Sequence, residues 1–209
     1  AFFRRQRQMC IRDRNISNPY DGSRKAGTVG IPLPGIEIRI VNEEGNEVKV
    51  GQIGTIELKG ENIFKGYWGM EEKTKESFKD DGFFITGDLA KKDENGYFTI
   101  VGRDKDMIIS GGLNVYPKEI EDVINELPNI TESAVFGVQH DDFGEAVVAA
   151  VVTTDDKNDG SQILDYTKDK IAKYKQPKKI IFMSNLPRNS MGKVQKNKLR
   201  ENNKSLFKS

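Results

Sequence analysis

The residues with the strongest claim to chemistry in this 209-residue chain fall in short, charged or glycine-bearing stretches. Leu186–Lys196 reads LPRNSMGKVQK, in which Pro187 and Gly192 shape a loop and Arg188, Lys193 and Lys196 charge it. A lysine on a glycine-shaped loop can be aimed at negative charge as it develops during a reaction. The stretch is not a Walker A phosphate loop. Pro187 stands where the first glycine is required, and Val194 replaces the Ser or Thr. A mobile basic tail would carry the same residues. Thr86-Gly87-Asp88 follows a predicted strand. There a glycine lets the backbone approach a ligand, and a carboxylate beyond a strand end can accept both hydroxyls of a ribose. The same aspartate could instead satisfy the N–H groups of a turn. Gly102-Arg103-Asp104-Lys105-Asp106 packs consecutive charges. Arg103 could offer its rigid donor fork to a phosphate or ribose, or the run could be a solvated connector with ion pairs worth ~0–1 kcal/mol. Ser110-Gly111-Gly112 is either a hairpin turn or bare backbone along which a narrow ligand chain can pass.

Other chemistries are poorly supplied. The chain has one cysteine, Cys10, and one histidine, His140. That excludes an internal disulfide framework and a Cys-rich zinc site, and leaves little for a Cys–His or Ser–His pair. His140, in GVQHDDFGE, could act as a ligand or base beside Asp141, Asp142 and Glu145; a surface turn is the simpler reading. No metal site is expected among these residues. With 36% hydrophobic and 31% charged residues, no apolar run approaches the ~20 residues of a spanning helix. The longest, Ala146–Val152, is strand-sized. No membrane partner is expected, and the cysteine usage favours a cytoplasmic address. The net charge of +1 hides a basic end: residues 168–209 hold eleven Lys and two Arg against Asp169 and Glu201. Such a run suggests an anionic ligand or partner. Phosphate contacts to nucleic acid are one option, although no nucleic-acid-binding module is recognisable.

The elements that would position these residues come in two textures. Before Gly102 the text is β-structure. Ile36, Ile38 and Ile40 alternate with charged residues, NEEGN marks a turn, and Thr55–Lys59 alternates again. Met70–Lys79 reads as a short helix. Phe83–Ile85 and Tyr97–Val101 read as strands joined through a DENG turn. Phe64, Tyr67 and Trp68 are local core or an exposed clasp. After Gly102, Lys105–Ser110 reads as a strand. Pro117 opens a helix burying Ile120, Val123, Ile124 and Leu127. Strands are predicted at Ala134–Val138, Glu145–Thr154 (buried on both faces) and Lys178–Met183. A helix capped by Ser161 is predicted to reach Tyr174 and bury Leu164 and Ile171, and a last helix covers Lys196–Asn203. The fold class is α+β: a small β-barrel-like subdomain over residues 15–104, then a compact α+β lid over residues 105–209. Residues 1–14, with five Arg against Asp13, differ in composition from the rest of the chain and are expected to be non-native or disordered. The abrupt start at residue 15 predicts that the protein continues upstream.

Taken in order, GTVGIPLPG, GTIELKGENIFKGYW, FFITGDLA, GYFTIVGRDKDMIISGGLNVYPKEIE, AKYKQPKKI and LPRNSMGKVQK resemble the C-terminal portion of the adenylate-forming acyl-CoA synthetases. Luciferases and peptide-synthetase adenylation domains share that superfamily. The resemblance covers roughly residues 18–203, and SNPYDGSRKAGTVG and LPRNSMGKVQKNKLRE look most like malonyl-CoA synthetases. It implies that Asp88 and Arg103 hold the ribose of ATP and of an acyl-adenylate. Lys105 would be the hinge of a mobile lid. Gly111 and Gly112 would line the channel for the pantetheine arm of CoA, and Lys193 would be the lysine that enters the site during adenylation. The implied substrates are a small carboxylic acid, ATP and CoA, with the Mg²⁺ ligands and the acid pocket lying upstream. An adenylation enzyme that loads a carrier protein, and a non-catalytic basic binding module, are the alternatives.

Overall fold

The computed structural model describes residues 15–155 and 159–207, so the expectation for residues 1–14 lies outside the described residues. The chain divides between Asp104 and Lys105 into two compact units.

The first unit is built on antiparallel strands. A ribbon of β1 (Ile16–Ser17) and β2 (Ile31–Pro32) precedes a four-stranded meander of β3 (Ile36–Val41), β4 (Gly54–Gly60), β5 (Phe84–Lys92) and β6 (Phe98–Arg103). The β-barrel-like subdomain expected over residues 15–104 is corrected: among the described residues these strands form an open sheet and a separate ribbon, with no closed barrel. Gly30 bridges Phe98 on β6, and within a few residues the chain enters β3 at the opposite edge. Alternation decides the core: Ile40, Ile56, Leu58, Ala90 and Phe98 turn to one face. On the other face Glu57 is only 1% exposed. It accepts from Arg39 Nε at 2.6 Å, and the Arg39 guanidinium lies over the Phe83 ring, 3.9 Å from its centroid. The helix predicted at Met70–Lys79 is α1 (Glu71–Ser77). Phe64 packs edge-on against Tyr67 and Phe84, the local-core reading, whereas Trp68 is 100% exposed.

In the second unit a mixed sheet is covered on both faces. Its hub is β10 (Gly144–Thr153), antiparallel to β9 (Ile130–His140) and parallel to β11 (Lys179–Phe182). At Gly144 it also meets β7 (Ile108–Ser110), which pairs with β8 (Leu113–Val115). Val147, Ala149 and Val151 pack against α2 (Pro117–Ile124) and α3 (Ser161–Lys168). Val148 and Ala150 face Leu186 and Leu199, the latter on α4 (Lys196–Asn202). This is the two-sided burial predicted for this strand.

Two further sequence expectations are corrected. The stretch Lys105–Ser110 is not all strand. It begins as a 3₁₀ turn, Asp104–Asp106, whose carbonyls at Lys105 and Asp106 are reached by Arg200 from α4. The helix from Ser161 stops at Lys168, Ile171 is buried beyond it, and Ile163 rather than Leu164 fills the core. Ser161 is not its cap. It lies inside the first turn, where the Asp159 carboxylate accepts both its N–H and its hydroxyl. Those hydrogen bonds pull the Asp159 carboxyl below its ordinary value.

Candidate functional site

In the first unit the site is made by a bulge. Glu57 pairs with Ile85 and Thr55 with Leu89, so Thr86-Gly87-Asp88 bulges out of β5 opposite Ile56. Strand β5 runs through this sequence instead of ending before it. Gly87 takes φ of 71°, a left-handed conformation that favours glycine. Thr86 pins the bulge: its hydroxyl donates to the Ile56 carbonyl at 2.8 Å and accepts from the Asp88 N–H at 3.0 Å. Asp88 then stands directly across from Arg103 on β6, with Arg103 Nε 3.1 Å from Asp88 Oδ1. Both side chains are partly exposed. Two residues singled out separately in the sequence are thus a cross-strand ion pair, offering acceptors and donors side by side.

In the second unit Lys193 sits on a tight hairpin closed by the Arg188–Val194 bridge. The Asn189 side chain accepts from the N–H groups of Met191 and Lys193, each at 3.0 Å. The Asn189 N–H donates to the Lys193 carbonyl at 2.9 Å. The stretch is an ordered turn, not a loose tail. Arg188 braces it from beneath, donating to the Gly192 carbonyl at 2.6 Å and pairing with Glu132 on β9. At the other end Lys196 pairs with Glu121 at 2.6 Å, and the same carboxylate oxygen accepts the Val135 N–H of β9 at 2.7 Å. Lys193 itself is exposed, and its ammonium meets no acid among the described residues.

Gly111 and Gly112 form the two-residue turn between β7 and β8, with φ of 60° and 77°. Positive φ at both central positions is the type I′ hairpin, so the turn reading of this stretch holds. A Cβ on Gly112 would meet nothing within 4 Å, so open space lies over it. The Phe143 carbonyl accepts the Gly111 N–H at 2.8 Å. That contact fixes the glycine hairpin beside the β9–β10 turn, where exposed Ile109, Leu113 and Phe143 also lie. His140 is at the same turn. Its Nδ1 accepts the Asp142 N–H at 3.2 Å, and its ring packs near Phe143 and Phe207, the surface-turn reading rather than a base. Among the described residues no group of three or more His, Cys, Asp or Glu side chains is arranged to hold a metal ion.

The two features of the second unit therefore occupy different places. The Lys193 hairpin is braced at Glu132, and the glycine hairpin sits beside His140, eight residues further along β9. At about 3.3 Å per residue these anchor points are roughly 25 Å apart. Sequence reasoning misses the braces: Arg188, Asn189, Glu121 and Arg200 carry no more signal than generic charge or loop. Only Asn189 offers a local cue, as an Asx-turn former three residues before Gly192.

Comparisons with known proteins bear on this arrangement. Residues 9–68 match the family described as AMP-binding enzyme, and residues 119–193 match the AMP-binding enzyme C-terminal domain. The chain is 42% identical over 184 residues to an indoleacetate–CoA ligase of Aromatoleum aromaticum, covering 88% of this chain and 36% of that protein. It is 40% identical over 198 residues to a malonate–CoA ligase of Arabidopsis thaliana, covering 89% and 32%. The crystal structure of ATP-bound MatB from Rhodopseudomonas palustris superposes with a TM-score of 0.87 at 57% identity, covering 93% of this chain and 39% of that one. The chain thus spans about a third of the length of the curated relatives it matches. No described helix is long and apolar enough to cross a membrane.

Proposed function

Because the chain belongs to the AMP-binding enzyme family and matches the C-terminal part of its members, we propose that it supplies that part of an ATP-dependent, AMP-forming acid–CoA ligase. The reaction has two halves. In the first, a carboxylate oxygen bonds the α-phosphorus of ATP and the bond to pyrophosphate breaks. In the second, the deprotonated CoA sulfur bonds the acyl carbon and AMP departs, leaving the thioester.

The single observation that carries this reading is the placement of Lys193 and Gly111-Gly112 at separated points of one compact unit. A lid that serves two half-reactions needs two presenting surfaces and a pivot between them. Lys193, exposed on a braced hairpin, is assigned to the first half, where its ammonium meets charge gathering on the phosphate and carboxylate oxygens. The glycine hairpin is assigned to the second half, where open backbone lets the pantetheine arm approach. Lys105, at the boundary between the two units, is assigned as the pivot. Asp88 and Arg103 fit a ribose: the carboxylate accepts hydroxyl donors and the guanidinium donates to ring or hydroxyl oxygens. No role proposed for these residues depends on a metal ion.

Malonate is the proposed acid. The 40% identity to a relative named as a malonate–CoA ligase supports it. Relatives named for indoleacetate and malonate match this chain about equally, at 42% and 40%, and the family resemblance implies an acid pocket upstream of these residues. ATP and CoA as substrates go with a cytoplasmic address. The 209-residue chain alone is expected to be inactive. The test is a chimera in which residues 15–209 replace the matching portion of MatB. Malonate-dependent ATP–pyrophosphate exchange and malonyl-CoA formation are expected. A chimera that melts cooperatively yet performs neither half refutes the proposal, and product formed only with a holo-carrier protein in place of CoA refutes the acceptor.

A further inference from the structure

Arg200 has a partner set that its position on a short surface helix does not explain. Its neighbour Leu199 is buried in the core, which fixes where α4 holds the arginine. From there Nη1 donates to the Lys105 carbonyl and Nη2 to the Asp106 carbonyl, each at 3.4 Å. Nη1 also lies 3.6 Å from Asp106 Oδ1. One planar fork therefore holds two successive carbonyls and a carboxylate, a geometry that a lysine ammonium cannot copy. The residues it holds are the first two of the second unit, at the boundary between the units. They are more than ninety positions away in sequence, so the contact exists only in the folded unit.

We propose that Arg200 is a positioning residue that makes the Lys105–Asp106 turn a rigid part of the second unit. The consequence rests on the pivot reading of Lys105 given above. With the carbonyls of Lys105 and Asp106 clamped, rotation between the units is left to the φ of Lys105 and the torsions just before it. Arg200 is also seven residues beyond Lys193, across a segment tied down by the Lys196–Glu121 pair. The clamp thus joins the pivot end of the lever to the end that carries Lys193. Removing it leaves a slack joint in which a given rotation no longer brings Lys193 to one fixed place.

Hydrogen exchange on the 209-residue chain tests the clamp without needing activity. In Arg200→Ala, amides of residues 105–108 are expected to exchange about tenfold faster, while those of β9 and β10 stay protected. Arg200→Lys is expected to restore little of this, because the fork is lost. Asp106→Asn, which leaves both carbonyls in place, is expected to change the rate about threefold. Unchanged exchange at residues 105–108 in Arg200→Ala overturns the proposal. So does acceleration spread equally over β9 and β10 in both Arg200→Ala and Asp106→Asn, which would mark Arg200 as a general core support. Paired spin labels at Lys91→Cys and Asp165→Cys, in a Cys10→Ser background, separate the two readings. A distance distribution that broadens in Arg200→Ala supports the clamp acting on a pivot. A single narrow distribution in both proteins, with faster exchange at residues 105–108, overturns the pivot and leaves the clamp standing.

Discussion

Replacing Lys193 by alanine should separate function from stability. The hairpin is held by the Asn189 side chain, by the Arg188 contact to the Gly192 carbonyl and by the backbone bridge to Val194. None of these uses the Lys193 ammonium. Truncation therefore leaves the turn intact, and stability should move by no more than about 0.5 kcal/mol, the range for surface changes away from caps and networks. The loss falls on the reaction. A positioned charge facing a developing anion is worth about 3–4 kcal/mol, or ~10²–10³ in rate. In the MatB chimera, malonate-dependent ATP–pyrophosphate exchange should fall by that factor. Malonyl-CoA formation from supplied malonyl-adenylate should stay within about twofold. Lys193→Arg should recover part of the exchange rate, since the charge remains but its shape differs. Equal loss in both halves would refute the assignment. A large fall in melting temperature for Lys193→Ala would refute the claim that the hairpin stands without the ammonium.

Gly112→Ala should give the mirror image. A φ of 77° strains alanine by ~1 kcal/mol, with no steric clash to add because nothing lies within 4 Å of the new Cβ. Malonyl-CoA formation from the supplied adenylate should drop at least tenfold with adenylation preserved, and equal changes in both halves would sink the idea. Acid should weaken both units. Hydrogen bonds from Arg39 hold the Asp81 carboxyl below its ordinary value, and those from Lys170 and Tyr166 do the same for Glu126. With folded values below unfolded ones, the unfolded chain binds more protons as pH falls. The stabilisation is present at neutral pH and disappears as pH drops below ~4. Urea midpoints measured from pH 6 to pH 3 should fall less steeply in Glu126→Gln, and an unchanged slope would contradict the shift assigned to that group.

What the sequence discloses tracks the range of the forces involved. The β10 run EAVVAAVVT and the α2 pattern of Ile120 and Ile124 are local, and burial on both faces of that strand is readable from the unbroken apolar run. Asp88 and Arg103 are each visible as charges near glycine. Their pairing needs the register of β5 against β6, which a bulge at Thr86-Gly87-Asp88 sets and no periodicity reveals. The same bulge hides the true length of β5, since Gly87 looks like a strand end. The 3₁₀ turn at Asp104–Asp106 reads as strand because its organiser, Arg200, is almost the length of the unit away in sequence. At Ser161 the error is one of role: a serine before an apolar residue looks like a cap until Asp159 is seen to accept from it.

The basic C-terminal run shows how charge composition misleads when folding uses part of it internally. Of the thirteen cations in residues 168–209, five are engaged among the described residues: Lys170 with Glu126, Lys175 with Glu119, Arg188 with Glu132, Lys196 with Glu121 and Arg200 with Asp106. Every one of those acids lies earlier in the chain, within residues 106–132. The positive end and the acidic first half of the same unit are therefore two sides of one set of braces, which tie α2 and β9 to the chain that returns after β10. Surface pairs of this kind contribute little energy each, yet they fix direction, and at Arg188 and Lys196 the thing directed is the hairpin between them. A polyanion drawn to the run by bulk charge would meet a surface already partly neutralised. A single phosphate meeting Lys193 would find an ammonium with no described acid to compete for it, on a turn held by its own hydrogen bonds.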